Sequence, residues 1–187
     1  MRHRITFMAV AAAGCLALAG VRITAAEEPA GPANDRDFVA KAAVGGSTEV
    51  ALGKMALQRG TEEQVKQFAK TMVDDHTAAN QELLTLAGRK QIPVPREVDA
   101  KHQKAVEQLS RLQGSEFDRA YARQMVKDHE ETVALFKGEA ERGQDPELKA
   151  LANKLLPKLQ NHLTMARRLT GEKDASVGVT GAEAPKK

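Results

Sequence analysis

Apolar side chains recur in steps of three and four along four long stretches of the chain, the spacing that gathers them on one face of an α-helix. In the first stretch, helix A, the stripe Phe38, Ala42, Gly45, Glu49, Leu52, Ala56 opens at Asn34 or Asp35, either of which suits an N-cap, and stops at Gly60. Helix B follows at once. Thr61 has a capping partner in Gln64, the stripe runs Val65, Phe68, Met72, His76, Ala79, Leu83, and Gly88 closes it. So short a turn folds A and B into an antiparallel hairpin. Helix C starts from Ser115, places Asp118 in its first turn, and carries Ala122, Met125, His129, Val133, Phe136 and Ala140 to Gly143. Helix D has Asp145 as N-cap and Pro146 at its first position, then Leu148, Leu151, Leu155, Leu159, His162, Ala166 and Leu169.

Between B and C, Ile92-Pro93-Val94-Pro95 excludes helix, because each proline drives its predecessor to extended geometry. A shorter helix from about Glu97 to Leu112 follows, with stripe Val98, His102, Ala105, Leu109, Leu112, and Gly114 breaks it. Residues 69–76 (AKTMVDDH) echo residues 122–129 (ARQMVKDH). The segment joining B to C is long enough to run back along the bundle, which makes B and C parallel and sets His76 and His129 at nearly one depth. The predicted fold is all-α: a ferritin-like up-down four-helix bundle whose long B–C crossover contains a short extra helix.

Each main stripe is interrupted near mid-helix by one polar residue: Glu49, His76, His129 or His162. Burying such a group without a partner costs about 1–3 kcal/mol, so something must satisfy them. Two readings stand. These four are ligands of a transition metal such as zinc, copper or iron, held between facing helices, or Glu49 accepts hydrogen bonds from the histidines in a metal-free network. Met72 and Met125 lie one turn before His76 and His129; as thioethers they would add to the ligand set if the metal is copper, and as ordinary core fillers they would not. Asp75 and Asp128 point about 100° away from the histidines they precede, which makes them surface residues or partners that orient a ligand. Pro157 should kink helix D one turn before His162, and Gly45 and Gly46 suggest close approach of a neighbouring helix.

Charge and composition narrow the partners. Three of the 28 Lys and Arg residues (Arg2, Arg4, Arg22) fall within residues 1–26, which hold no acid, leaving 25 basic against 25 acidic residues in the remainder. A neutral chain with 3% aromatic residues has neither the basic patch nor the stacking surface of a nucleic-acid binder. Arg2-His3-Arg4, the apolar run Ile5 to Val21 and the small residues Thr24-Ala25-Ala26 read as an export signal cleaved after Ala26, so the protein is expected in the periplasm. Ala12-Ala13-Gly14-Cys15 resembles a lipobox, and the alternative is an outer-membrane lipoprotein anchored at Cys15. The expected organisation is a signal over 1–26, a linker over 27–33, a bundle over 34–170 with no transmembrane span, and a disordered tail over 171–187.

Glu49-Val50-x-Leu52-Gly53-Lys54, the paired Met-Val-x-Asp-His segments, and Leu156-Pro157 with His162-Leu163 resemble the bacterial family called domain of unknown function 4142 over about residues 34–170. The resemblance implies an exported four-helix bundle and carries no settled activity. The Glu-x-x-His signature of di-iron ferritins would need Glu where Val73, Val126 and Leu159 stand, which speaks against ferroxidase or peroxidase chemistry. The functions that remain are a periplasmic metal-binding bundle, a metal-free structural or interaction module of the envelope and, third, a redox or hydrolytic metalloenzyme. No separate acid, base or nucleophile constellation supports the last.

Overall fold

Helix-forming stripes with punctuated ends become five helices in the computed structural model, which describes residues 33–171: α1 (Ala33–Arg59), α2 (Glu63–Arg89), α3 (Ala100–Ser110), α4 (Gly114–Arg142) and α5 (Pro146–Thr170). The predicted signal, Cys15, most of the predicted linker and all but the first residue of the tail lie outside the described residues. No helix among the described residues is long and apolar enough to cross a membrane.

The helices form two hairpins, α1 with α2 and α4 with α5; α1 also packs on α4, and α2 on α5, closing a four-membered ring. Tertiary hydrogen bonds fix the directions. Asp118, near the start of α4, holds the α1–α2 turn through Thr61 N (3.0 Å), Thr61 Oγ1 (2.6 Å) and Glu62 N (3.0 Å). At the opposite end Asp35 of α1 holds the α4–α5 turn by accepting from Gln144 N (3.0 Å) and Asp145 N (2.8 Å). Lys90, just past α2, bridges Asp145 and Glu147 at the start of α5. Helices α2 and α4 are therefore parallel, with α3 in the crossover between them, as the spacing predicts.

Several predicted caps differ. Asp35 lies inside α1 and Asp118 inside α4, both buried, and each serves the other hairpin's turn. Thr61 is not the N-cap of α2; that position falls to Glu62, and the Thr61 hydroxyl donates to Asp118. Helix α4 begins at Gly114, whose left-handed φ of 60° lets the chain turn into the helix, with Gln113 and not Ser115 as cap. Helix α3 is shorter than expected because the Asp99 carboxylate accepts from His102 N and starts it at Ala100. Asp145 caps α5 as predicted, accepting from Glu147 N and Leu148 N, and α5 runs on through Pro157.

The core is divided. Phe38, Leu83, Phe136 and Leu148 belong to one apolar cluster, and Leu52, Phe68, Met72, Tyr121 and Met125 to another. On each long helix the polar residue lies in sequence between the residues it gives to the two clusters, so Glu49, His76, His129 and His162 form a buried polar layer across the middle of the bundle. Full burial of each large apolar side chain contributes about 1.5–3 kcal/mol, and the clusters offset the cost of that layer.

Close approach of α1 to α2 falls at Gly53. A methyl group there would meet Val73 Cγ2 at 2.9 Å and the Ala69 carbonyl at 3.1 Å. Gly46 also faces a neighbour, but only the end of the Asn80 side chain, whereas Gly45 faces open space. Gly53→Ala is thus expected to destabilise the protein by about 1–3 kcal/mol, because backbone cannot swing aside. Urea unfolding compared with Gly46→Ala, where Asn80 can rotate away, checks this; equal stability of both variants would show that the helices relax apart.

Candidate metal centre

His76 on α2 and His129 on α4 come from parallel, diagonally placed helices, and their Nε2 atoms lie 3.4 Å apart. His162 on α5 completes a triangle: the ring centroids are 5.5 Å (His76–His129), 5.4 Å (His76–His162) and 5.4 Å (His129–His162) apart. All three residues are buried, and each offers one ring nitrogen such that the three lie within 4.8 Å of one another. Among the described residues no other set of His, Cys, Asp and Glu does so.

Hydrogen bonds assign the nitrogens. His129 Nδ1 lies 2.9 Å from the Met125 carbonyl of its own helix, which can only accept, so Nδ1 carries the proton and Nε2 a free lone pair. His162 Nε2 lies 2.9 Å from Asp75 Oδ2, while Lys158 donates to Asp75 Oδ1 at 2.7 Å. That bond places the His162 proton on Nε2 and leaves Nδ1 as a buried acceptor with no partner. Asp75 is thereby the orienting partner of His162, one of the two roles its position allowed. A cavity of about 30 Å³ opens beside His76 and His162, room for one water.

The electrostatics favour neutral imidazoles. Burial, reinforced by repulsion from His129 and His162, lowers the His76 pKa to about 3. Burial, with repulsion from His162, lowers that of His129 to about 4 against the raising effect of the Met125 carbonyl. Burial lowers His162 too, although Asp75 opposes it. At neutral pH these are three uncharged bases with lone pairs in one place, the form in which imidazole binds metals.

Glu49 is brought to the same layer but not into the triangle. Its Oε1 lies 3.6 Å from His129 Nδ1, the nitrogen already committed to Met125, and neither carboxylate oxygen has a hydrogen-bond partner. Burial, and then the charge of Asp128, raise its pKa well above the usual carboxylate range. The expected network in which Glu49 accepts from the histidines is therefore not formed. Met72 and Met125 are fully buried in the apolar cluster with Leu52, Phe68 and Tyr121. Tyr121 was not singled out in the sequence; its hydroxyl is buried without a partner, and burial and Glu49 raise its pKa well above normal.

Orphaned nitrogen at His162 and convergent lone pairs fit a metal ion, and an imidazole-only donor set suits zinc, copper, iron or nickel better than a hard cation. Fold and site together define an all-helical bundle with a histidine-lined core. The sequence matches the domain of unknown function DUF4142 over residues 21–169, and the chain belongs to that family. Comparison with curated proteins gives no match. Among solved structures, a DUF305 fragment from Deinococcus radiodurans is similar with a TM-score of 0.67 and 18% identity, covering 76% of this chain and 99% of that one. CopM in its Cu(II)-bound form is similar with a TM-score of 0.63 and 20% identity (73% of this chain, 95% of that one). CopM in its silver-bound form gives a TM-score of 0.58 at 20% identity (72% and 93%). Likeness at this identity establishes the helical fold.

Proposed function

We propose that this chain is an exported metal-binding bundle that holds one copper-type ion through His76, His129 and His162 and serves to bind or carry that ion. The observation that carries the reading is the convergence of three buried, neutral imidazoles, each on a different helix, within 4.8 Å. The metal would supply a positive centre that joins α2, α4 and α5 at mid-bundle. Asp75 holds His162 in the tautomer that leaves Nδ1 free, and the Met125 carbonyl does the same for Nε2 of His129. Copper is favoured over zinc or iron by the bound ions of the similarly folded CopM structures, and export rests on the signal-like residues 1–26. The unbonded state of Glu49 counts against the metal-free network.

The test is a titration of untagged protein with Ag(I) or Cu(I), with Zn(II) in parallel. One ion per chain is expected, with a stabilisation of about 2.7 kcal/mol when free metal is about 100 times Kd. Substoichiometric binding that a chelator removes with no change in Tm would sink the proposal. Tighter binding of Zn(II) than of Ag(I) and Cu(I) would keep the site and change the metal.

A further inference from the structure

On the far side of His129 from the triangle, a cleft of about 540 Å³ lies between α1, the α3 segment and α4, lined by Glu49, Asp128, Asp99, Glu131 and His102 with Lys41 and Lys101 at its margin. Its acids are unevenly neutralised. Lys101 pairs with Glu131, Lys41 lies 3.6 Å from Asp37, and Asp99 pairs with His102 Nδ1 at 2.8 Å. Glu49, only 3% exposed, has both carboxylate oxygens buried and unbonded. Asp128, 7% exposed, receives only the neutral Gln124 amide, at 2.8 and 2.9 Å. No Lys or Arg side chain reaches ion-pair distance of either carboxylate, so two buried acids share a cleft whose cations are spent elsewhere. Such an arrangement is costly unless a positive charge joins it.

We propose that this cleft is a second cation site, distinct from the histidine centre, which takes a divalent metal ion together with part of its water shell, with Glu49 and Asp128 supplying the charge and His102 Nε2 a further donor. Three features argue for it. Glu49 is an unpartnered carboxylate buried at the cleft wall. Gly45, one turn before it on α1, presents no side chain and faces open space, which keeps room beside the carboxylate. His102 is oriented through Nδ1 by Asp99, which leaves Nε2 for a ligand as Asp75 leaves Nδ1 of His162. Glu49, Asp128 and His102 do not converge as tightly as the three core histidines, so a bare ion cannot touch all of them. A partly hydrated ion can, through its own water, and an oxygen-rich set with one imidazole suits a harder cation than three imidazoles do.

The experiment uses full-length protein and Mn(II), followed by loss of the free-ion electron paramagnetic resonance signal, with hexaamminecobalt(III) as a competitor that mimics a hydrated ion. One Mn(II) per chain is expected in the wild type and in His162→Leu, which disables the histidine centre and leaves the cleft untouched. Weakening of roughly tenfold or more is expected for the Glu49→Gln/Asp128→Asn double variant, and a smaller loss for His102→Ala on the partly exposed α3, a change that does not threaten the core. Helical melts of each variant verify folding. Absence of Mn(II) binding at millimolar concentration, or binding that survives in the folded double variant, overturns the proposal. Loss of Mn(II) in His162→Leu also overturns it, by placing that ion in the histidine centre, whereas loss of Ag(I) alone in that variant leaves both sites standing.

Discussion

His129→Leu is expected to abolish metal binding, lowering affinity at least about 100-fold, while the metal-free protein stays as stable as the wild type or gains slightly. The ring is fully buried and neutral, and its one settled hydrogen bond goes to the Met125 carbonyl within its own helix. That carbonyl keeps its place in the helical ladder when the ring is gone, so leucine orphans no group and fills a similar volume between the two apolar clusters. His76→Leu should behave alike, since its polar neighbour is the unprotonated Nε2 of His129. A metal-free network would give the opposite signature: a loss of about 1–3 kcal/mol in each variant, partly rescued by Glu49→Gln. Because Glu49 accepts no bond from His129, the combined variant should instead be additive within about 0.5 kcal/mol. Chemical denaturation of the singles and doubles, with chelator and with added Ag(I), measures both quantities. Destabilisation without metal, coupled to Glu49, would return the histidines to a structural role.

The three histidines could be found from the sequence because each sits in phase with an apolar stripe, and because equal distances from Thr61 and Ser115 set His76 and His129 at one depth. Those are one-dimensional facts, and helix geometry turns them into position along the bundle. Glu49 shows where that reasoning stops. Its depth was right, but the rotation of α1 against α4 decides which face of His129 it meets, and spacing holds no record of interhelical rotation. It lands on the protonated Nδ1 side and opens to a cleft roofed by the α3 segment.

Local rules also lost to tertiary ones at the turns. Asp35 and Asp118 look like residues that serve their own helix starts, but a buried carboxylate gains more from the free N–H groups of a neighbouring hairpin's turn. His102 was read only as a stripe position; the signal missed was Asp99 three residues earlier, a spacing that lets one carboxylate both cap α3 and orient the ring. The internal echo carried more than its length suggested. Asp75 and Asp128 occupy equivalent places on the parallel helices, yet one meets His162 and Lys158 while the other meets the Glu49 cleft, so the repeat has diverged into two different polar environments.

The pH dependence of stability should expose Glu139, a residue the sequence pattern did not mark. It is 2% exposed, neither carboxylate oxygen has a partner, and it folds back into the space a side chain at Gly143 would need. Burial, and then the nearby charges of Asp35 and Asp145, push its pKa up to about 7 against the opposing pull of Lys149. Because the folded pKa lies above the unfolded one, the native state holds its proton more tightly. The associated stability is full below about pH 4.5 and disappears as pH rises through about 7. From pH 5 to pH 8 the wild type should therefore lose about 2 kcal/mol relative to Glu139→Gln, which keeps the shape and cannot ionise, a shift of roughly 5–10 °C in the difference between their Tm values. The difference is the quantity to measure, because the three core histidines act in the opposite sense: their lowered pKa values remove stability as pH falls below about 6.5. Those histidines are present in both proteins and cancel. Parallel Tm curves over this range would mean that Glu139 reaches solvent when ionised, whereas a gap that widens only above neutrality locates the buried charge at the α4–α5 turn, where Asp35 already occupies the two backbone donors that could have satisfied it.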